Sequence, residues 1–118
     1  MNKLYMVGGA NGSGKTTVAK EILTSFLNVY EYVNADEIAR GLSPFCPENV
    51  SVQAGKLMIK RLHYLCEHNI GFALESTLSG SNYVKFIKKC RLNNYQIHLI
   101  YFWLESPQIV IQRVKKSI

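Results

Sequence analysis

The sequence is poor in cysteine, proline and acidic residues, and it contains no long apolar run. Its three cysteines, an odd number, include no C-x-x-C pair, so reduced structural thiols are expected rather than a disulfide framework or a zinc site. No apolar stretch approaches the ~18 residues that a membrane-spanning helix needs. The N-terminus lacks the apolar core and the small-residue cleavage site of a signal peptide. These absences predict a cytoplasmic protein with no membrane partner.

The shortage of acidic residues leaves a net charge of +6, from 14 Lys and Arg against 8 Asp and Glu. Such a balance suits an anionic ligand, whether a nucleotide, a sugar phosphate or a nucleic acid, and solvated helix faces are the alternative explanation for most of these charges. No basic run is interleaved with aromatic residues as a single-strand binding groove requires, which counts against nucleic acid as a partner. A length of 118 residues with 47% hydrophobic residues predicts one globular domain, residues 1–118.

Short apolar runs alternate with amphipathic segments along the chain, and each has the length of one element of secondary structure. The pattern predicts strands at 4–8, 30–33, 71–75 and 96–104. It predicts helices at about 15–27, 36–41, 47–68, 83–92 and 106–116, the last beginning at a Ser-Pro pair. Strands that alternate with helices in this way form a parallel sheet with helices on both faces. We therefore expect an α/β fold of three layers with a parallel sheet of four strands.

A glycine-rich loop follows the first predicted strand and precedes the first predicted helix. Residues 9–16 read GANGSGKT and fit the P-loop pattern G-x-x-x-x-G-K-[ST]. Glycines allow successive N–H groups to point at one phosphate, and the helix N-terminus adds its positive end. Lys15 is expected to act on the β- and γ-phosphates of ATP during catalysis, and Thr16 to offer its hydroxyl to Mg²⁺. The residues predicted to bind the nucleotide are Gly9, Ala10, Asn11, Gly12, Ser13, Gly14, Lys15, Thr16 and Thr17.

Two acidic residues lie at the carboxyl ends of predicted strands, where ligands bind in open parallel sheets. At Asp36 a carboxylate can accept the proton of a substrate hydroxyl; the alternative role is a helix N-cap, for which Asn34 is a rival. Glu75 is expected to hold Mg²⁺ through water, to bind substrate hydroxyls, or to be solvated or paired with a lysine. The hydroxyl-rich turn that contains Thr77 either joins this site or caps the next helix.

Four segments, in this order, resemble the zeta-toxin family of P-loop kinases. They are GGANGSGKTT at 8–17, VNADEIA at 33–39, LSP at 42–44 and LESTLSG at 74–80. The resemblance covers nearly the whole chain, and the second and fourth segments are much more restrictive than the phosphate loop. It implies a fold close to that of small nucleoside and shikimate-type kinases, with ATP and Mg²⁺ as cofactors.

The resemblance also implies an activity and a partner. Toxin members of the family phosphorylate the 3′-hydroxyl of UDP-N-acetylglucosamine, so a sugar nucleotide is the expected acceptor. By position, Asp36 corresponds to the base, and Glu75 and Thr77 correspond to the substrate pocket. Arg40 lies near the substrate side, where it either meets an anionic sugar nucleotide or remains a solvated helix end. An antitoxin protein is the partner that the family implies.

The sequence departs from the family pattern in its C-terminal region. Family members continue into a lid, whose arginines clamp the transferred phosphate, and then into a fifth strand. In this sequence Arg113 stands near the start of that region, where it either contacts ATP or lies on the surface of the final helix. We therefore expect a truncated kinase domain, with a nucleotide-binding module that lacks turnover as the alternative. Four strands also leave one sheet edge uncovered, which makes a homo-oligomer an expectation.

Overall fold

The described part of the chain forms a five-stranded β-sheet with helices on both of its faces. The structure is a computed structural model that describes residues 2–9, 14–75, 81–102 and 109–114. The strands are β1 (Lys3–Gly9), β2 (Tyr32–Asn34), β3 (Phe72–Glu75), β4 (Gln96–Phe102) and β5 (Ile109–Val114). The helices are α1 (Lys15–Ser25), α2 (Ala35–Leu42), α3 (Ser51–Glu67) and α4 (Ser81–Leu92), with a 3₁₀ turn at Pro47–Val50 before α3.

The strand order is β2-β3-β1-β4-β5, and the first four strands run parallel to one another. In the register of the sheet, both Val7 of β1 and Asn34 of β2 stand opposite Glu75 of β3. The carboxyl ends of these three strands therefore meet at one edge of the sheet, which is the usual place for ligands in such folds. The predicted α/β fold is confirmed, and four strands of the sheet are parallel as predicted.

The last strand corrects two predictions from the sequence. Residues 109–114 form β5, which pairs antiparallel with β4, so the predicted helix at 106–116 and the predicted count of four strands are both wrong. The segment reads IVIQRV and is rich in β-branched residues, which favour strands. The strand also pairs with one edge of β4. If residues 109–114 were helical, they would leave the backbone N–H and C=O groups along that edge of β4 without these partners. The Ser-Pro pair at 106–107, which suits a turn as well as a helix start, lies outside the described residues.

The core lies on both faces of the sheet because successive residues of a strand point to opposite sides. Leu4 and Met6 of β1 face α3 and α4, whereas Tyr5 and Val7 face α1. Helix α3 supplies its side of the core from one stripe at helical spacing, with members Ala54, Met58, Leu62 and Leu65, all nearly inaccessible to solvent. A strand buried on both faces reads as a continuous apolar run, which explains why β1 was predictable from sequence.

None of the helices within the described ranges is long and apolar enough to cross a membrane.

The three cysteines are free thiols: Cys66 and Cys90 are buried with their sulfur atoms 3.5 Å apart, and Cys46 is exposed. Burial raises the pKa of the Cys90 thiol, and the neighbouring Cys66 adds to this effect. These buried thiols therefore contribute to packing between α3 and α4 as small apolar groups.

Candidate active site

The two ends of the phosphate loop have backbone conformations that favour glycine. Gly9, the last residue of β1, has φ +139°, and Gly14, which precedes α1, has φ +73°. At Gly9 there is also no room for a side chain, because a Cβ atom there would lie 2.7 Å from the carbonyl oxygen of Phe102. No side chain among the described residues caps the N-terminus of α1. Its first N–H groups, which have no partner within a helix, point out of its N-terminal end.

The structure describes the predicted nucleotide-binding residues only in part. Ala10, Asn11, Gly12 and Ser13 lie outside the described residues, as does Thr77 of the predicted substrate pocket. Lys15 begins α1, and its side chain is also outside the described part. Thr16 is partly buried in the first turn of α1, and Thr17 is exposed beside it.

A cluster of three side chains from three elements lies at the carboxyl edge of the sheet. The Thr16 hydroxyl donates to Oε1 of Glu75 at 2.8 Å, although the two residues are 59 positions apart in the chain. The hydroxyl of Tyr32 donates to the same carboxylate oxygen. Burial, followed by the hydrogen bond to Glu75, raises the pKa of Tyr32, so the phenol remains a neutral donor. The cluster joins α1, β2 and β3.

Tyr32 was missed in the sequence, where it reads as an apolar residue of a short strand. The register of the sheet shows how it reaches the cluster. Tyr32 stands opposite Ala73, and Glu75 points to the same face of β3 two residues further on. A diagonal neighbour at this separation is within reach of a long aromatic side chain. The pairing of β2 with β3 would have predicted the contact of Tyr32 with Glu75, but the sequence does not specify that pairing.

The structure resolves which residue caps α2. The side chain of Asn34 accepts a hydrogen bond from the backbone N–H of Asp36 at 2.8 Å, and Asn34 is only 5% exposed. Asn34 is therefore the N-cap, and Asp36 occupies the first turn with an exposed carboxylate. A negative charge in the first turn interacts favourably with the helix dipole. The carboxylate of Asp36 is thereby left available for a role other than capping.

A cavity of about 350 Å³ lies between α2 and the start of α3. Asp36 and Arg40 both line it, since residues four apart share one face of a helix. The full lining consists of Ala35, Asp36, Ala39, Arg40, Pro47, Glu48 and Ser51. Glu48 and Ser51 were not predicted as site residues, and only the turn at Pro47–Val50, which brings α3 back against α2, places them here. Of the predicted substrate-binding residues, Asp36 and Arg40 both line this cavity, whereas Glu75 is hydrogen-bonded to Thr16 outside its lining.

An ion pair joins α1, which follows the phosphate loop, to α2, which carries Asp36. Lys20 of α1 contacts Glu37 of α2, with 2.7 Å between Nζ and Oε1. The same ammonium group lies 6.0 Å from the centre of the Tyr32 ring, in range for a weak cation–π contact. Both charged side chains are substantially exposed, so their energetic contribution is modest, about 1 kcal/mol or less. Their position nevertheless links the phosphate-loop helix to the helix that carries Asp36.

The donor atoms at this edge suit a hard cation. Thr16 offers an oxygen ligand, which Mg²⁺ prefers, and Glu75 offers oxygen atoms to a water of the ion; Mg²⁺ retains several waters and takes one or two ligands from a protein. Because the Thr16 hydroxyl gives its single hydrogen to Glu75, the lone pairs of its oxygen remain for a cation. No group of three or more His, Cys, Asp or Glu side chains able to hold a metal occurs among the described residues. The residues therefore fit a nucleotide-bound Mg²⁺ better than a metal held by protein alone.

Arg113 is not part of this site. It is an exposed residue of β5 that stands opposite His98, toward the amino end of β4. The end of β5 nearest the candidate site is Ile109, which pairs with Phe102. Of the two predicted alternatives for Arg113, the structure supports a surface position, although on a strand rather than on a helix.

Comparisons with known proteins agree with this architecture. The sequence model of the zeta toxin family matches residues 2–117. An uncharacterized protein of Haemophilus influenzae is 33% identical over 119 residues, which cover 99% of this chain and 81% of that protein. A solved structure from the PezAT chromosomal toxin–antitoxin system of Streptococcus pneumoniae matches with a TM-score of 0.70 at 18% identity, over 86% of this chain and 46% of that chain.

A second solved structure, the APS kinase CysC of Mycobacterium tuberculosis, matches with a TM-score of 0.55 at 14% identity, over 98% of this chain and 82% of that chain. Identities this low establish the fold alone. This chain spans about half the length of the pneumococcal chain that it matches. With a P-loop kinase fold and a family match along nearly its whole length, the chain belongs to the zeta toxin family.

Proposed function

We propose that this chain is an ATP-binding kinase that transfers the γ-phosphoryl group of ATP to a hydroxyl of a sugar nucleotide, such as UDP-N-acetylglucosamine. The observation that carries the proposal is the meeting of Thr16 and Glu75 at the edge of the sheet where Asp36 also lies. Phosphoryl transfer requires a phosphate loop, a ligand for Mg²⁺ and an uncommitted carboxylate near one another, and the positions of Thr16, Glu75 and Asp36 support such a site. Family membership supports the same reaction class.

Each residue has a distinct role in the proposed reaction. The loop from Gly9 to Gly14 and Lys15 bind the phosphates, and the Thr16 oxygen binds Mg²⁺. Mg²⁺, when bound, neutralises negative charge on the β- and γ-phosphates. The carboxylate of Asp36 accepts the proton of the acceptor hydroxyl as the oxygen attacks the γ-phosphorus and ADP leaves. Catalysis of this kind depends mainly on positioning, which the Asn34 cap provides for Asp36.

The proposed acceptor follows from the chemistry of the cavity beside Asp36. Glu48 and Ser51 offer a carboxylate and a hydroxyl, both able to bind sugar hydroxyls, and Arg40 offers a cation for an anionic group. A sugar that carries phosphate groups combines these two properties. The family resemblance supports a nucleoside diphosphate sugar in particular, with Thr77 and Glu75 as further contacts on the side of the phosphate loop.

The test is release of ADP from ATP and Mg²⁺ in the presence of UDP-N-acetylglucosamine. Asp36→Asn should lower kcat by about a hundredfold or more, since a positioned base contributes ~10²–10⁴-fold, while ATP binding is retained. Glu37→Gln is the matched control, because it removes the same charge from the next residue, which pairs with Lys20 and does not line the cavity. It should retain activity within about threefold. Equal activity of Asp36→Asn and wild type would refute the role of Asp36 as the base.

The second candidate is a nucleotide-binding module without turnover. The position of Arg113 favours it, because the residue nearest the family's lid lies at the far end of β5 from the site. Arginines that act on the transferred phosphate are worth ~10³-fold or more in rate. Calorimetry that shows ATP binding, with wild type and Asp36→Asn equally inactive toward all sugar nucleotides, would support this candidate over the kinase.

An antitoxin is the proposed protein partner. The support is family membership together with the match to a chain of a pneumococcal toxin–antitoxin system. If this chain acts as a toxin, its expression in a bacterial host should slow growth, and Asp36→Asn should remove the effect. Growth that is slowed equally by both proteins would assign the toxicity to something other than phosphoryl transfer.

A further inference from the structure

The hydroxyl of Tyr32 has a specific partner, unlike that of the neighbouring tyrosine. Tyr32 donates to Oε1 of Glu75, the oxygen that also accepts from Thr16. Tyr30 lies two residues earlier and is 72% exposed, and its hydroxyl donates to the Asn28 side chain over a long 3.4 Å distance. The two tyrosines thus differ in whether the phenol reaches Glu75, the partner of Thr16, which makes Tyr30 a matched control for Tyr32.

The orientation of the Glu75 carboxylate determines where the Thr16 proton points. A threonine hydroxyl carries one hydrogen, and its two lone pairs are available to a cation only when that hydrogen is directed elsewhere. In this structure the hydrogen is directed to Glu75. The terminal torsion of a glutamate has a broad distribution, so each contact on the carboxylate restricts its rotation. Tyr32 donates to the same oxygen as Thr16 and so restricts the rotation of Glu75 further.

We propose that Tyr32 is a positioning residue, which holds Glu75 so that Thr16 presents its lone pairs, rather than its proton, to Mg²⁺ bound with the nucleotide. The inference rests on the proposed ATP and Mg²⁺ site and deepens it, because it assigns a role to a residue outside the phosphate loop and outside the acceptor cavity. Tyr32 does not contact the cation itself; it acts through Glu75 and Thr16. The ring packs, partly buried, against the core cluster on the α1 side of the sheet, opposite Ala73 of β3, and this packing holds the phenol in position.

The experiment is a titration of Mg²⁺ against binding of a fluorescent ATP analogue, with parallel binding in EDTA. Outer partners of metal ligands are typically worth 10–100-fold in metal affinity, and Tyr32 is one contact further out. Tyr32→Phe should therefore raise the Mg²⁺ concentration at half-maximal binding about three- to tenfold, with metal-free affinity unchanged. Tyr30→Phe should leave both quantities unchanged. Thermal melting checks that each variant is folded.

A double variant separates positioning from general structure. In a Glu75→Ala background the phenol has no carboxylate to hold, so adding Tyr32→Phe should change the Mg²⁺ requirement by less than about twofold. A Tyr32→Phe protein whose Mg²⁺ requirement matches that of Tyr30→Phe would overturn the inference while leaving the kinase proposal intact. A loss of affinity that is equal with and without Mg²⁺ would overturn it as well. A wild-type protein that binds no nucleotide in either condition would instead refute the proposed function, and the inference with it.

Discussion

Gly9 is the position at which a single methyl group should have the largest effect on the phosphate loop. It ends β1 with φ +139°, a conformation that residues with a side chain rarely adopt. It also stands opposite Phe102 of β4 in the sheet. A Cβ atom at Gly9 would lie 2.7 Å from the carbonyl oxygen of Phe102 and 3.2 Å from its Cβ. Because the closest atom belongs to the backbone, the clash cannot be relieved by a side-chain rotation.

The expected cost of Gly9→Ala has two parts. Holding a residue with a side chain in this backbone region costs roughly 1–3 kcal/mol. Separating two adjacent backbones to admit the methyl group costs about 1–3 kcal/mol more, as for other cases of overpacking. The free energy of unfolding should therefore fall by about 2–6 kcal/mol. Binding of ATP should weaken in addition, since the displaced strand end begins the phosphate loop.

Two other glycines serve as controls for the two parts of that cost. Gly14 has φ +73° with nothing within 4 Å of a Cβ, so Gly14→Ala should cost about 1–2 kcal/mol, from the backbone conformation alone. Gly55 lies within α3 with open space around it, so Gly55→Ala should stabilise the protein by about 0.5–1 kcal/mol. Urea denaturation monitored by circular dichroism measures all three. A Gly9→Ala midpoint no lower than that of Gly14→Ala would show that the contact with Phe102 carries no cost.

Two more predictions concern the helix cap and the pH dependence of stability. Asn34→Ala should lower the free energy of unfolding by about 1 kcal/mol through loss of the α2 cap, and it should also lower kcat. Asn34→Asp keeps an acceptor oxygen and should retain most of the stability and most of the activity. Equal urea midpoints for Asn34→Ala and Asn34→Asp would contradict this. Burial and the nearby Lys89, whose Nζ is 2.9 Å from Nδ1 of His63, lower the pKa of His63 below 6.5. The unfolded chain therefore takes up a proton on His63 more readily than the folded protein does. The folded protein keeps its full stability above about pH 6.5 and loses stability as the pH falls from there through the pKa of His63 in the folded state. His63→Gln should flatten the decrease in urea midpoint between pH 7.5 and 5.5 relative to wild type; an unchanged slope would assign the decrease to other groups, such as His98, whose pKa is also lowered.

The parts of the fold that follow from a local pattern were predictable, and those that depend on pairing with another strand were not. Strand β1 and helix α1 follow from an apolar run, a glycine loop and a helical stripe, all within 25 residues. Strand β5 was predicted as a helix from the Ser-Pro pair before it, although its β-branched residues favour a strand. Pairing with β4 satisfies a whole row of backbone hydrogen bonds and decides in favour of the strand.

The candidate site divides in the same way. The phosphate-loop pattern and the acidic residues at strand ends determined which chemical groups the chain brings to a nucleotide, since each group belongs to a short segment with its own geometry. Only the tertiary structure decided that Asn34 caps α2 and leaves Asp36 available. It alone placed Tyr32 and Thr16 on one oxygen of Glu75, because that contact requires the register of β2 on β3 and of β3 on β1. These two pairings join residues more than forty positions apart in the chain, and no local pattern encodes which of them will stand opposite each other.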